Sequence, residues 1–240
     1  MPSKPNLLLL PGLLCDAVVW EDQNHALAAR ADCHVPDYGS LDSLSAMAQL
    51  ALGAMPPGPF SLAGHSMGGR VALEVLRLAP RRVQRLALLD TGYQGLAAGG
   101  AGEQEKAGRF KLLQQARAAG MRVMGAAWAR GMVHASRLET PLFDEILDMI
   151  ERKTPAIFEA QIAALLGRPD ATELLSRIAV PTLVLCGRDD QWSSLARHEQ
   201  MAGLIPGSRL GVIEESGHMA AMEQPKAVNE ALAEWLSWPV

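Results

Sequence analysis

Short apolar runs alternate with longer amphipathic ones along this chain. The runs at Asn6–Leu10, Cys33–Val35, Pro59–Ala63, Arg85–Asp90, Thr182–Cys186 and Arg209–Ile213 are continuous and bounded by turn or polar residues, the pattern of buried strands. Between them Asp16–Ala29, Ser43–Ala54, Met67–Leu78, Ser193–Leu204 and Lys226–Leu236 carry apolar residues at helical spacing, with Asp16 placed to cap the first. Apolar strands alternating with helices predict an α/β fold whose mostly parallel sheet is covered on both faces.

One long stretch breaks the alternation. From about Gly92 to Arg177 no strand pattern occurs, and "GRFKLLQQARAAGMRVMGAAWARGM" and "LFDEILDMIERKTPAIFEAQIAALL" read as helices separated by Gly and Pro. Residues 92–177 are therefore expected as a helical insertion in a core made of residues 1–91 and 178–240. The patch "GLAAGGAG" is expected as a flexible lead into that insertion, and "MPPGPF" as an ordinary loop.

The first apolar run also admits a second reading. Lys4 precedes it and Cys15 follows, as in a secretion signal with a lipid-attachment cysteine. Leu14 is not the small residue such cleavage needs, and Pro11 and Gly12 end the run at Leu10, so a strand breaking into a loop is the better expectation.

Composition narrows the partners. The 240 residues are 49% hydrophobic and 20% charged, enough for a sizeable core, and the net charge of -4 comes without a block of Lys or Arg. That gives no footprint for nucleic acid or anionic lipid and leaves a small molecule as the expected partner. The three cysteines, Cys15, Cys33 and Cys186, have no C-x-x-C spacing, so neither a disulfide framework nor a zinc site is suggested and a reducing cytoplasm is the expected home. No apolar run reaches the roughly 18 residues a membrane span needs.

The stretch "PFSLAGHSMGGRVALEV" carries the chemistry. A strand passes into a helix with almost no loop, and Ser66 sits at the corner. Such a turn strains its central residue and crowds the backbones beside it, a demand that Gly64 and Gly68 meet. Its hydroxyl would then stand at a helix N-terminus, where N–H groups and the macrodipole stabilise developing negative charge. A hydroxyl needs a base, and the base an orienting acid. Of six histidines, His218 falls in "VIEESGHMAAMEQP" between the last strand and the last helix, where a loop overhangs the sheet's carboxyl edge. His65 adjoins the serine but is expected to point away from its hydroxyl, and His25, His34, His134 and His198 fall on helices or a strand end. For the acid, Asp189 and Asp190 follow a buried strand in "VPTLVLCGRDDQW", and Asp90 ends "RLALLD".

These residues together resemble the α/β-hydrolase family, over nearly all of the chain outside the insertion. "GHSMGG" is similar to its nucleophile elbow, "GRDD" to its G-x-x-D acid turn and "SGHMAAMEQP" to its histidine loop, in the family order Ser, Asp, His. The resemblance implies Ser66 as nucleophile, His218 as general base and acid, and Asp190 as orienter, with Asp90 the alternative used by some members. It also implies that "LLLLPGLLC" is a scaffold loop, the backbone N–H groups of Leu13 and Met67 forming an oxyanion hole. Pro11 stands where the family commonly has His, "PDYGSLDS" replaces a longer glycine-rich segment, and Ser194 stands where a Pro often follows the acid.

The implied activity is hydrolysis of a small or medium-sized carboxylic ester through an acyl-enzyme, needing neither metal nor organic cofactor, in a monomer or homodimer whose insertion acts as a lid. Met121, Met124, Trp128, Phe143 and Phe158 are candidates to line an acyl pocket, though side chains at helical spacing equally serve ordinary packing. The same residues support thioester, lactone or carbon–carbon hydrolysis, acyl transfer or perhydrolysis, and a weakly catalytic receptor for a small molecule.

Overall fold

The computed structural model describes residues 4–240. Among these, six strands form one wholly parallel sheet in the order β2-β1-β3-β4-β5-β6: β1 (Asn6–Leu10), β2 (Asp32–His34), β3 (Phe60–His65), β4 (Val83–Leu89), β5 (Thr182–Gly187) and β6 (Arg209–Ile213). β3 and β5 are buried at every position and β1 nearly so, as unbroken apolar runs require when helices cover both faces. The edge strands β2 and β6 stay largely accessible.

The helices are α1 (Glu21–Leu27), α2 (Leu44–Ala54), α3 (Met67–Leu78), α4 (Gly100–Ala119), α5 (Met121–Trp128), α6 (Pro141–Glu151), α7 (Pro155–Leu166), α8 (Thr172–Leu175), α9 (Leu195–Leu204), α10 (Ala220–Glu223) and α11 (Pro225–Leu236). Everything regular between β4 and β5 is helical, as the missing strand pattern implies. Gly120, at φ 91°, separates α4 from α5, and Pro155 begins α7 behind a Thr154 cap, so Gly and Pro punctuate this segment as expected. "GLAAGGAG" is not wholly a loop, because α4 already starts at Gly100.

Two expected helices differ from the pattern. Asp16 does cap its element, accepting from Val18 N at 3.0 Å, but Ala17–Trp20 is a 3-10 turn and the α-helix begins only at Glu21. The turn buries Val19 and Trp20, and Trp20 sets its ring edge-on to His65 at 6.4 Å. The helix expected from Ser193 starts at Leu195, because the Ser193 N–H is drawn to the Asp190 carboxylate at 2.8 Å.

β1 lies between β2 and β3, so the chain leaves β1 toward one edge and later returns on its other side. That reversal opens a crevice at the carboxyl ends of β1 and β3, the place where open α/β sheets hold ligands. β1 is thus interior sheet, and Cys15 is buried just beyond it, its thiol pushed up to about 12 chiefly by burial. Among the described residues no helix is long and apolar enough to cross a membrane.

Candidate active site

β3 runs straight into α3, and Ser66 is the single residue between them, at φ 55° and ψ -118°. A non-glycine residue rarely adopts this left-handed backbone, and its cost is borne by the packing around it. A Cβ on Gly64 would collide with the Gly68 carbonyl, and one on Gly68 with the carbonyls of Leu10 and Pro11. The elbow therefore closes only with glycine at both positions, as the spacing predicts.

The structure brings the expected residues together. The Ser66 hydroxyl lies 2.8 Å from His218 Nε2, and His218 Nδ1 lies 2.8 Å from Asp190 Oδ2. An ionised carboxylate only accepts, so Nδ1 carries the imidazole proton and Nε2 is left to accept from Ser66. Asp190 Oδ1 takes the N–H groups of Trp192 and Ser193, both at 2.8 Å. Burial pushes the Asp190 carboxyl up, but the charge and hydrogen bond of His218 and these two N–H groups hold it below its ordinary value.

Asp90 occupies a different place. It is fully buried, with Oδ1 accepting from Gly187 N at 2.8 Å and Oδ2 from Ala220 N at 3.3 Å, so it ties the acid turn to the histidine loop. Burial first and the neighbouring Asp190 second raise its carboxyl well above the usual range. Asp189 instead lies half exposed beside His134. Asp90, Cys186 and Asp190 crowd within 4.8 Å, but both carboxylates are engaged by N–H donors or His218, and burial keeps the Cys186 thiol protonated. This cluster has the bonding of a scaffold and lacks free ligand atoms.

Leu13 and Met67 both line the cavity beside Ser66. Met67 opens α3, so its N–H has no acceptor within the helix. The loop carrying Leu13 is held from the helical segment: Gln161 on α7 accepts from Leu14 N at 2.9 Å, and Leu14 itself has φ 60°.

Other residues support this arrangement. His65 donates from Nε2 to the His218 carbonyl at 2.7 Å; burial and then His218 depress it to about 4, so it stays neutral. His198 is a core residue that accepts from Thr91 N at 3.0 Å, while the Thr91 hydroxyl donates to the Ser66 carbonyl at 2.6 Å. Glu223, within the histidine-loop motif, receives the N–H groups of His134, Gly217 and Met219 and so shapes the turn that carries His218.

A cavity of about 880 Å³ opens over Ser66 and His218. Of the five apolar candidates, Trp128 and Phe158 line it; Met121, Met124 and Phe143 are buried elsewhere. Trp192 bridges Trp128 and His218, with ring centroids at 5.1 and 5.2 Å. The polar wall has Arg70, Arg109, Arg168 and Arg197, with Glu105 and Asp170 as its carboxylates. Glu105 binds Arg168 through both oxygens at 2.7 and 2.8 Å and Arg109 at 2.8 Å. Desolvation acts upward on Glu105 but is outweighed by the hydrogen bonds from Arg168 and Arg109, which bring it down to about 2. The folded value lies below the unfolded one, so the clamp contributes fully above the unfolded glutamate value of about 4.3 and is lost as pH falls toward about 2. Thermal midpoints of wild type and Glu105→Gln are expected to differ near neutrality and to converge across that acid window; a constant gap would contradict the clamp.

The sequence pattern of the alpha/beta hydrolase family matches residues 7–231. The chain belongs to the α/β-hydrolase family. It is 26% identical over 252 residues to the pimeloyl-[acyl-carrier protein] methyl ester esterase of Nitrosomonas europaea, covering 92% of each chain. It is also 27% identical over 253 residues to the polyketide synthase ThaQ of Burkholderia thailandensis, 97% of this chain but only 12% of that protein's length. The solved structure of a thermophilic esterase from Thermogutta terrifontis, with malate bound, superposes at a TM-score of 0.86 with 28% identity, covering 98% of this chain and 90% of that one. The chain is thus similar both to stand-alone esterases and to a short part of a polyketide synthase.

Proposed function

We propose that this α/β hydrolase is a serine esterase that cleaves carboxylic esters of small or medium-sized acids through an acyl-enzyme. The observation that carries this reading is the unbroken chain of hydrogen bonds from Ser66 through His218 to Asp190, opening onto a cavity of about 880 Å³. That volume lies within the ordinary range for small-molecule sites.

In the first half-reaction Ser66 Oγ attacks the ester carbonyl carbon and its proton passes to His218 Nε2. The N–H groups of Leu13 and Met67 face the negative oxygen that results. Collapse breaks the bond to the alkoxy oxygen, and His218 returns the proton to the departing alcohol. Water then gives its proton to His218, attacks the acyl carbon and releases the acid, and Ser66 recovers its proton. Asp190 keeps the proton of the neutral imidazole on Nδ1 and stabilises the imidazolium. In this scheme residues 92–177 act as the cap, since Leu112, Trp128, Phe158 and Leu165 of that segment line the cavity.

The test is exposure of wild type and Ser66→Ala to a fluorophosphonate, read by intact mass. One adduct on wild type and none on the variant is the expected result. A folded wild type that takes up no reagent would mean that Ser66 is not an activated nucleophile.

A further inference from the structure

The cavity above Ser66 carries more positive charge than its own carboxylates neutralise. Glu105 is committed to Arg168 and Arg109, and Asp170 accepts from the N–H groups of Gly95 and Thr172 at 3.0 and 2.8 Å. Among the described residues, Arg70 and Arg197 have no carboxylate partner. Arg70 donates to the Gln94 carbonyl at 2.7 Å, and Arg197 reaches the Trp192 carbonyl at 3.4 Å.

The two guanidinium groups converge on one point. Gly92 is buried on the cavity wall, and a Cβ placed there would lie 2.8 Å from Arg70 Nη2 and 3.5 Å from Arg197 Nη1. Arg70 lies in the first turn of α3, the helix that Ser66 precedes, and both residues line the cavity. Desolvation, followed by the charges of Arg168 and Arg197, pulls Arg70 down to about 9, with Glu105 acting in the opposite direction. Two adjacent guanidinium forks suit a planar carboxylate, which accepts several charge-assisted hydrogen bonds at once. The apolar wall of Leu112, Trp128, Phe158 and Leu165 suits a hydrocarbon spacer between such a group and a reacting carbonyl.

We propose that Arg70 and Arg197, converging beside Gly92, form a carboxylate-binding subsite, so that the preferred substrates are monoesters of dicarboxylic acids. This rests on the reading of Ser66 as the nucleophile and names the acid half of its substrate.

The test compares kcat/KM for the mono-4-nitrophenyl ester of adipic acid with that for 4-nitrophenyl hexanoate, which has the same chain length and no charge. Wild type is expected to favour the charged ester by tenfold or more at low salt, about what one charge-assisted contact confers. Arg70→Gln and Arg197→Gln are each expected to cut that ratio about tenfold. Arg209→Gln, at an exposed site on β6, is expected to preserve it. A wild-type ratio at or below one, or a ratio untouched by both cavity substitutions, would overturn the subsite. Adipate is also expected to raise the thermal midpoint of wild type but not of Arg70→Gln or Arg197→Gln, with each variant's ligand-free midpoint reporting that it folds. Inorganic phosphate shifting the midpoint as strongly as adipate would overturn the carboxylate assignment in favour of a general anion site. If the fluorophosphonate fails to label Ser66 and neither ester turns over, the esterase reading falls; the adipate shift then decides the subsite alone, supporting it when present and overturning it when absent.

Discussion

Ser66→Ala is expected to lower kcat for 4-nitrophenyl hexanoate by about 10⁶-fold, and His218→Ala to do nearly the same. Both magnitudes follow from a chain of groups in which each depends on the next. On the proposed mechanism no acyl-enzyme forms without the Ser66 oxygen, and without His218 Nε2, 2.8 Å away, the hydroxyl has nowhere to send its proton. The double variant is therefore expected to be no slower than the poorer single one, because the first substitution already disables the unit. Asp190→Asn is expected to cost about 10⁴-fold in kcat. An amide that donates toward His218 moves the imidazole proton to Nε2, where it meets the serine and not the acid. Initial rates and KM for the four variants check this, and the loss should fall on kcat. Additive losses in the double variant, or a drop below about tenfold for Asp190→Asn, would break the assignment of these residues to one catalytic unit.

Asp90→Asn separates the two acids. Asp90 touches Gly187 N and Ala220 N and makes no contact with His218, so its replacement acts on the loops that carry Asp190 and His218. A fall in thermal midpoint without a kcat loss of the 10⁴-fold class is the expected outcome, set against the kinetic loss in Asp190→Asn.

Gly68→Val is expected to destabilise the fold by more than about 4 kcal/mol, in the class of substitutions that force backbone apart. At Gly68 the first turn of α3 passes so close to the end of β1 that an added Cβ would overlap the Leu10 and Pro11 carbonyls. Neither neighbour is a side chain able to rotate away. β1 would have to shift within the sheet, or α3 lift from it and carry Ser66 off His218. Denaturant midpoints measure this directly, with Gly53→Ala in α2 as the comparison. At Gly53 a Cβ meets nothing within 4 Å, and helix propensity favours alanine by roughly 0.5–1 kcal/mol. A Gly68→Val protein with a wild-type midpoint would refute the crowding at the elbow.

Much of this arrangement was legible without coordinates. Strands β1 and β6 and helix α3 have the bounds that hydrophobicity predicts: β1 is an apolar run buried on two faces, β6 keeps its bounds at an accessible edge, and α3 begins where glycines allow a sharp turn. Boundaries slipped where local bonding or backbone geometry interrupted the apolar pattern. Ser193 left its expected helix for the Asp190 carboxylate, and Asp90 fell just past the end of β4 at φ 46°. The 3-10 turn before α1 was hidden because one turn of either helix leaves almost the same apolar spacing.

The candidate site divides along the same line. Ser66, the Asp189–Asp190 pair and His218 stand in local turns whose glycines and neighbours are contiguous in the chain, so the sequence by itself determined the elbow, the acid turn and the histidine loop. Only the tertiary structure decided that Asp190 and not Asp90 meets His218, since both aspartates follow strands and differ in which neighbouring N–H groups they receive. It alone brought Gln161 to Leu14, 147 residues apart, and gathered Arg70 and Arg197 around Gly92 on a cavity shared with Ser66. Local patterning encodes turns because their constraints act between adjacent residues. Distant contacts depend on how the sheet and helices stack, and no short stretch of sequence carries that information.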